Sequence, residues 1–136
     1  MQFGIGLFAT QKDVDAVTLA RAVEERGFES LWLPDIITID ATAYRDTNAE
    51  FREAFPDHEW LWRPKGFWQA HDPFVALTAA AVVTSRLHLA AIAHIAERDP
   101  IVTAKMIATV DRIAAGRFLL AVQGYRPPAQ SVWGDR

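Results

Sequence analysis

Cysteine is absent from the 136 residues, which excludes disulfides, thiolate metal sites and a cysteine nucleophile. It also fits a cytoplasmic protein. Lys/Arg clusters are missing as well: 14 basic residues face 17 acidic ones, for a net charge of -3, so a nucleic-acid role has no electrostatic footprint. No apolar run has the length needed to span a bilayer. The longest candidate, PFVALTAAAVVTS, is short and carries Thr and Ser. Nor does a basic region precede the short apolar stretch at the N-terminus, which argues against a signal peptide. What is left is an ordinary globular composition, 51% hydrophobic and 23% charged. The length is that of one domain, able to bury roughly two thirds of its unfolded surface.

The opening MQFGIGLFATQ contains Gly4-Ile5-Gly6-Leu7-Phe8-Ala9, which spells G-x-G-x-x-A. A dinucleotide-binding fingerprint places its first glycine after a full strand and lets the helix begin inside the motif. Here only Met1, Gln2 and Phe3 precede Gly4, and the first helix signal is Asp13. The acid expected about twenty residues on is missing, because Glu24 and Glu25 fall within the helix. The glycines therefore belong to a strand, where a bare backbone admits close neighbours.

The strand reads from Gln2 to Phe8, and a helix with Asp13 as N-cap from Val14 to Arg26, with Val14, Val17, Ala20 and Val23 about one turn apart. Gly27 supplies a left-handed C-cap. Phe28–Leu33 reads as a second strand stopped by Pro34. Asp72-Pro73 then repeats the helix-start grammar, with proline where its missing N–H costs nothing. A helix from Phe74 to about Ser85 leads to a strand over Leu87–Ala93. Asp99-Pro100 opens a helix to Ala115, Gly116 closes it, and Phe118–Val122 is the fourth strand. The pattern βαβαβαβ implies an α/β fold with a parallel sheet, since parallel neighbours need a crossover. The near-continuous apolar runs FGIGLF and RFLLAV suit strands buried on both faces.

Between Pro34 and His71 no period is clear. So long a connection is uncommon in a compact domain unless functional or disordered, and its Tyr44, Phe51, Phe55, Trp60, Trp62, Phe67 and Trp68 argue against disorder. It leaves the C-terminal end of a parallel strand, the edge where α/β proteins place their sites. A packed insertion (about residues 36–71), an aromatic lid over a flat ligand and an oligomer contact all fit. Asp35, at the mouth of strand 2, suits a hydrogen bond to a ligand or a loop cap. His94 ends strand 3 and reads as a satisfied structural histidine. His94-x-x-Glu97 is too weak for a metal pair, because His58, His71 and His88 complete no constellation. Lys105 lies mid-helix, Asp111 and Arg112 read as a solvated or salt-bridged helix face, and Thr84 and Ser85 lack a nucleophile-elbow context.

Three stretches together resemble the N-terminal half of the luciferase-like monooxygenase superfamily: FGIGLF, SLWLPD, and the block SRLHLAAIAHIAERDPIVTAKMIATVDRIAAGRFLLAV with its D-P-I-V, A-K, D-R and G-R-F landmarks. DPFVALTAAA resembles the preceding helix. The R-D-P-I-V-T-A-K form is most similar to the branch that uses the deazaflavin coenzyme F-420, with FMN as the alternative cofactor. The resemblance implies a (β/α)8 TIM-type barrel with the ring across its C-terminal mouth, and hydride transfer or monooxygenation of a small-molecule substrate. It places Asp35 near the cofactor, Ala91-Ile92-Ala93 at a bulge that supports the ring, often through a non-proline cis peptide, and Gln123-Gly124 at the glycine-rich end of strand 4. Relatives often carry a histidine after the acid; this chain has Ile36.

An eight-unit barrel typically needs about 250 residues, and four strands supply half of one. Such a half-barrel has two raw edges and an uncovered inner face. It is therefore expected to form a homo-oligomer or pair with a complementary half-barrel, and no nucleic-acid or membrane partner is expected. Two further readings stay open. One is a non-catalytic half-barrel that self-assembles or pairs with another chain. The other is a self-sufficient flavodoxin-like sheet, which Ala9-Thr10-Gln11-Lys12 weakens by lacking a phosphate cradle.

Overall fold

The computed structural model describes residues 1–35, 53–54, 56–57, 69–95 and 98–123. Four strands, β1 (Gly4–Gly6), β2 (Ser30–Pro34), β3 (His88–Ala93) and β4 (Phe118–Val122), form one parallel sheet in sequence order. Helices α1 (Ala16–Glu25), α2 (Pro73–Ala81) and α3 (Pro100–Ile113) lie between them, and α2 packs on both others. Sequential strands are neighbours because a helix carries the chain back between each pair.

Capping chemistry sets the helix ends. Asp72 Oδ1 accepts from the Phe74 and Val75 N–H groups, and Asp99 Oδ1 from those of Ile101 and Val102, each just ahead of a first-turn proline. Gly27 (φ 76°) and Gly116 (φ 81°) take the left-handed conformation after α1 and α3, which glycine adopts without Cβ strain. The first helix begins later than Asp13 suggests: its cap is Asp15, which accepts from Thr18 N at 2.9 Å. Asp13 instead closes the preceding turn, accepting from the Thr10 N–H and hydroxyl at 3.1 and 2.6 Å. Two aspartates two positions apart competed for one role.

Alternation along the strands sorts the sheet into two faces. Leu31, Leu33, Leu89, Ala91, Ala93 and Leu120 join Phe74, Leu77, Ala80 and Val110 in the core under the helices. On the other face the register aligns Gly6, Trp32, Ala90 and Leu119 in one row and Pro34, Ile92 and Ala121 in the next. None of the three helices covers this face, and Leu119 is 40% exposed. The sheet is thus open, with β1 and β4 as its edges.

β1 is shorter than its apolar run suggests. Pro34 is paired, as the last residue of β2, where the sequence reads it as a stop. Asp35 N–H donates to Ile92 O at 2.8 Å, toward β3, and Trp32 O accepts from Leu7 N–H, toward β1. The missing N–H of Pro34 therefore points to the β1 side, beyond the last β1 pair, where no ladder bond is lost.

The G-x-G question is settled by packing. A Cβ on Gly4 would overlap the Ser30 hydroxyl, which accepts from Trp32 Nε1 at 2.8 Å, and would approach Ser30 O at 3.2 Å; one on Gly6 would meet only Trp32 Cβ at 3.7 Å. Gly4→Ala should cost about 1–3 kcal/mol and Gly6→Ala under about 1 kcal/mol, read from urea midpoints. Equal costs would refute the packing account.

Glu24 ties α1 to the turn before β3. Its Oε1 accepts from the Ser85, Arg86 and Leu87 N–H groups at 2.9, 2.6 and 2.9 Å. Burial pushes this carboxyl up, but the three amides and the Arg86 charge together hold it below its ordinary value. With the folded value lowered, the contribution is complete above the ordinary glutamate range and fades as pH falls through the folded value. Glu24→Gln should therefore lower stability by about 1 kcal/mol at neutral pH, with the gap closing in acid as pH falls through the lowered folded value. Melts at neutral and acid pH test this, and a constant gap would count against it.

Candidate active site at the C-terminal end of the sheet

The strands end at Gly6, Pro34, Ala93 and Val122 on one rim. Loops from distant parts of the chain converge there. Gln11 N–H donates to Gln69 O, Thr10 bridges Ala70 antiparallel, and His71 N–H donates to Ala9 O at 2.8 Å. The segment entering α2 is thereby laid against the exit of β1.

Arg98 fastens the rim. Its Nε and Nη2 donate to Asp35 Oδ2 and Oδ1 at 2.5 and 2.7 Å, and Nη2 also donates to Asp72 Oδ2 at 3.0 Å. The guanidinium carbon lies 4.8 Å from the Phe74 ring centroid, and Phe74 sits 6.1 Å from Phe118. A planar fork with an aromatic against its face is a geometry lysine cannot reproduce. Hydrogen bonding to Asp35 raises the Arg98 pKa well above its ordinary value despite partial burial, with Asp72 adding to it. One cation thus joins the exit of β2, the loop after β3 and the cap of α2.

Among the described residues, two side-chain atoms at this end are buried without a hydrogen-bond partner: His94 Nδ1 and Gln69 Oε1. The reading of His94 as a satisfied histidine is corrected. A buried polar atom left unpaired costs about 1–3 kcal/mol, and so calls for a reason.

The residues singled out from the sequence fall as follows. Asp35 is 1% exposed, in the alternation phase of Leu31 and Leu33, and both its oxygens are held by Arg98. Ala91 and Ile92 lie in β3 in unbroken register with β2 and β4, and Ala93 with β4. The expected bulge is therefore absent, and no cis peptide occurs among the described residues. Continuous pairing to β2 on one side and β4 on the other leaves no room for an extra residue. Gln123 continues the ladder by donating to Ala93 O at 2.9 Å. Gly124, Ile36, His58, Glu97 and the seven aromatic residues of the long segment lie outside the described residues. Sequence reasoning missed Arg98 and Gln69. Arg98 stood in the R-D-P run without a role, because its partner Asp35 is 63 positions away; Gln69 carried no signal.

Among the described residues no group of three His, Asp or Glu side chains is placed to hold a metal, and no helix is long and apolar enough to cross a membrane. A cleft of about 320 Å³ between α2 and α3, lined by Phe74, Thr78, Lys105 and Met106 among others, belongs to the outer helix layer. The unpaired polar atoms at the rim, not this cleft, mark the candidate site.

A parallel sheet in sequence order, helices on one face and polar groups gathered at the strands' C-terminal ends define a partial TIM-barrel-like α/β protein. The chain belongs to the luciferase-like monooxygenase family, whose model matches residues 1–135. Uncharacterized proteins of Mycobacterium bovis and Mycobacterium tuberculosis are 34% identical to it over 125 residues, 90% of this chain. The chain spans 41% of the length of those relatives. A solved long-chain alkane monooxygenase (LadA) shares the fold, with a TM-score of 0.59, 24% identity, and coverage of 82% of this chain and 23% of its own.

A flavin-type ring presents alternating carbonyl and N–H groups along its polar edge. His94 Nδ1 can donate or accept and Gln69 Oε1 can accept, so the unpaired atoms fit such a ring.

Proposed function

We propose that this chain is the N-terminal part of a luciferase-like oxidoreductase, one partial barrel domain over residues 1–136 with an insertion at about 36–71. The cofactor is coenzyme F-420, with FMN the alternative, held at the C-terminal rim. The observation that carries the reading is the family match over residues 1–135, joined to a rim where His94 Nδ1 and Gln69 Oε1 are buried without a partner among the described residues. When bound, the ring supplies hydride transfer to or from an organic substrate or, with FMN, monooxygenation. The protein's part is binding, orientation and exclusion of water.

In this reading Ala91–Ala93 and Gln123–Gly124 supply backbone beside the ring. Asp35 acts through Arg98, fixing where β2 and the loop after β3 leave the sheet. The open face with Trp32, Ile92 and Leu119 is covered by further strands, from a second copy or a complementary half-barrel.

Equilibrium titration of the purified chain with F-420 and separately with FMN, with the mass of each species recorded, tests this. Saturable binding of one cofactor by a defined oligomer is expected; absence of binding to either by a folded chain would overturn the reading. A second reading, a non-catalytic assembly module, is favoured by the open face alone. A strictly monomeric, well-folded chain in light scattering would remove it.

A further inference from the structure

We propose that His94 contacts the bound ring directly, its Nδ1 hydrogen-bonding to a polar group on the ring's edge. The inference rests on the functional reading above and goes beyond it by assigning a side chain.

Placement is the first argument. His94 follows the last residue of β3 and keeps the alternation phase of Ala90 and Ile92, the phase of the face opposite α1–α3. Its backbone is fixed on both sides. Ala93 O accepts from Gln123 N–H at 2.9 Å, and Ile95 O accepts from Arg98 N–H at 3.2 Å. The imidazole therefore stands on a rigid step between a ladder and a turn, as a ligand-orienting group requires.

Satisfaction is the second. An imidazole at a strand end normally pairs with a carbonyl or carboxylate that sets its tautomer. Here Nδ1 is enclosed and has no such partner. The carboxylates tied to this rim, Asp35 and Asp72, are engaged by Arg98, and neither bonds to His94.

The third argument is the company His94 keeps. Gln69 Oε1, the other unpartnered atom, lies three residues before Asp72, as His94 lies four before Arg98. Both are carried by loops that the same cation joins. An acceptor and a group that can donate, one on each of these two loops, suit a planar heterocycle with both N–H and C=O groups on its edge.

The test compares wild type, His94→Leu and His94→Asn. Asn places an amide close to where Nδ1 stands. Each chain is melted without ligand, then titrated with F-420 and with FMN while the ring's absorption band is followed. Because Leu removes an unpaired buried polar atom, the ligand-free His94→Leu chain should melt no lower than wild type. Its affinity should fall about tenfold, with the bound ring's band shift reduced. His94→Asn should recover most of both. A lower melting temperature for His94→Leu would make the histidine structural and overturn the inference. So would wild-type affinity and band shift in that variant, leaving the functional reading intact. Failure of wild type to bind either cofactor overturns the functional reading, and this inference falls with it.

Discussion

Arg98→Met is expected to be the most destabilising single change at the rim, by about 3–5 kcal/mol, because it leaves a buried carboxylate without its partner. Asp35 is 1% exposed and both its oxygens are taken by one guanidinium. Without it, the carboxylate must protonate, draw in water or move the end of β2. The Asp72 arm is worth far less, since that side chain is 38% exposed and pairs in water contribute little. The two arms can therefore be separated. Asp72→Ala should cost about 1 kcal/mol, chiefly through the lost N-cap, while the Asp35 arm carries the rest. Hydrogen bonding to Asp35 holds the Arg98 proton more tightly still, so the cation stays charged at any pH at which the chain folds. Against a total stability of about 5–15 kcal/mol for a domain, the loss is between about a fifth and the whole of the folding free energy. Urea unfolding followed by circular dichroism measures it. In the Asp35→Asn/Arg98→Met double variant the charge is gone, and much of the loss should return. A single Arg98→Met variant within 1 kcal/mol of wild type would mean that Asp35 finds another partner, and the account of the rim would fail.

What the sequence made legible follows from how local the causes are. Asp72-Pro73 and Asp99-Pro100 announce their helices because cap, proline and first turn are contiguous, and each carboxylate reaches amides two and three residues on. Gly27 and Gly116 mark helix ends for the same local reason. Phe118–Val122 was legible to the residue, since Gly116 bounds it on one side and its apolar run on the other. The errors arise where a neighbour decides. Gln2–Phe8 is apolar after its first residue, yet as an edge strand only Gly4–Gly6 pairs in the sheet. Pro34 ends a strand in isolation but is admitted to this one because β1 has already stopped. Asp35 has the position of a ligand-binding acid, and only a contact across 63 positions reveals its hold on Arg98. His94 is the converse. Nothing in its flanking residues told a satisfied histidine from an unpaired one; that needed the surrounding chain.

The landmarks that carry the family resemblance prove to be largely architectural. Asp99 caps α3, and Asp111 Oδ1 accepts from the Phe118 N–H at 3.3 Å. Family membership is thus read from the residues that set the barrel's turns. The candidate site rests on side chains such as His94 that need not share that pattern, which is why fold was more legible than chemistry.

Arg117, the arginine of G-R-F, should give the second large effect: about 2–4 kcal/mol lost in Arg117→Ala. Its Nη1 donates to Thr84 Oγ1 and Leu87 O at 3.0 and 2.9 Å, and its Nη2 to Ala81 O and Thr84 O, both at 3.1 Å. Three of those acceptors are main-chain carbonyls at the end of α2 and in the turn after it, where intrahelical partners run out and a cation is favoured by the helix dipole. The same turn presents its N–H groups at Ser85, Arg86 and Leu87 to the Glu24 carboxylate. A turn with few bonds of its own is thus held by a cation on its carbonyls and an anion on its amides, one from the start of β4 and the other from α1. Arg117→Lys should recover less than half of the loss, because an ammonium cannot span the four acceptors that the fork reaches. Amide exchange at Val83–Leu87 should quicken in both variants and in Glu24→Gln, while exchange at Leu31 and Leu33 changes only with global stability. Lysine matching arginine in urea would refute the clamp. So would Arg117→Ala speeding exchange evenly through the sheet, because the turn would then have no dependence on Arg117 beyond that of the whole fold.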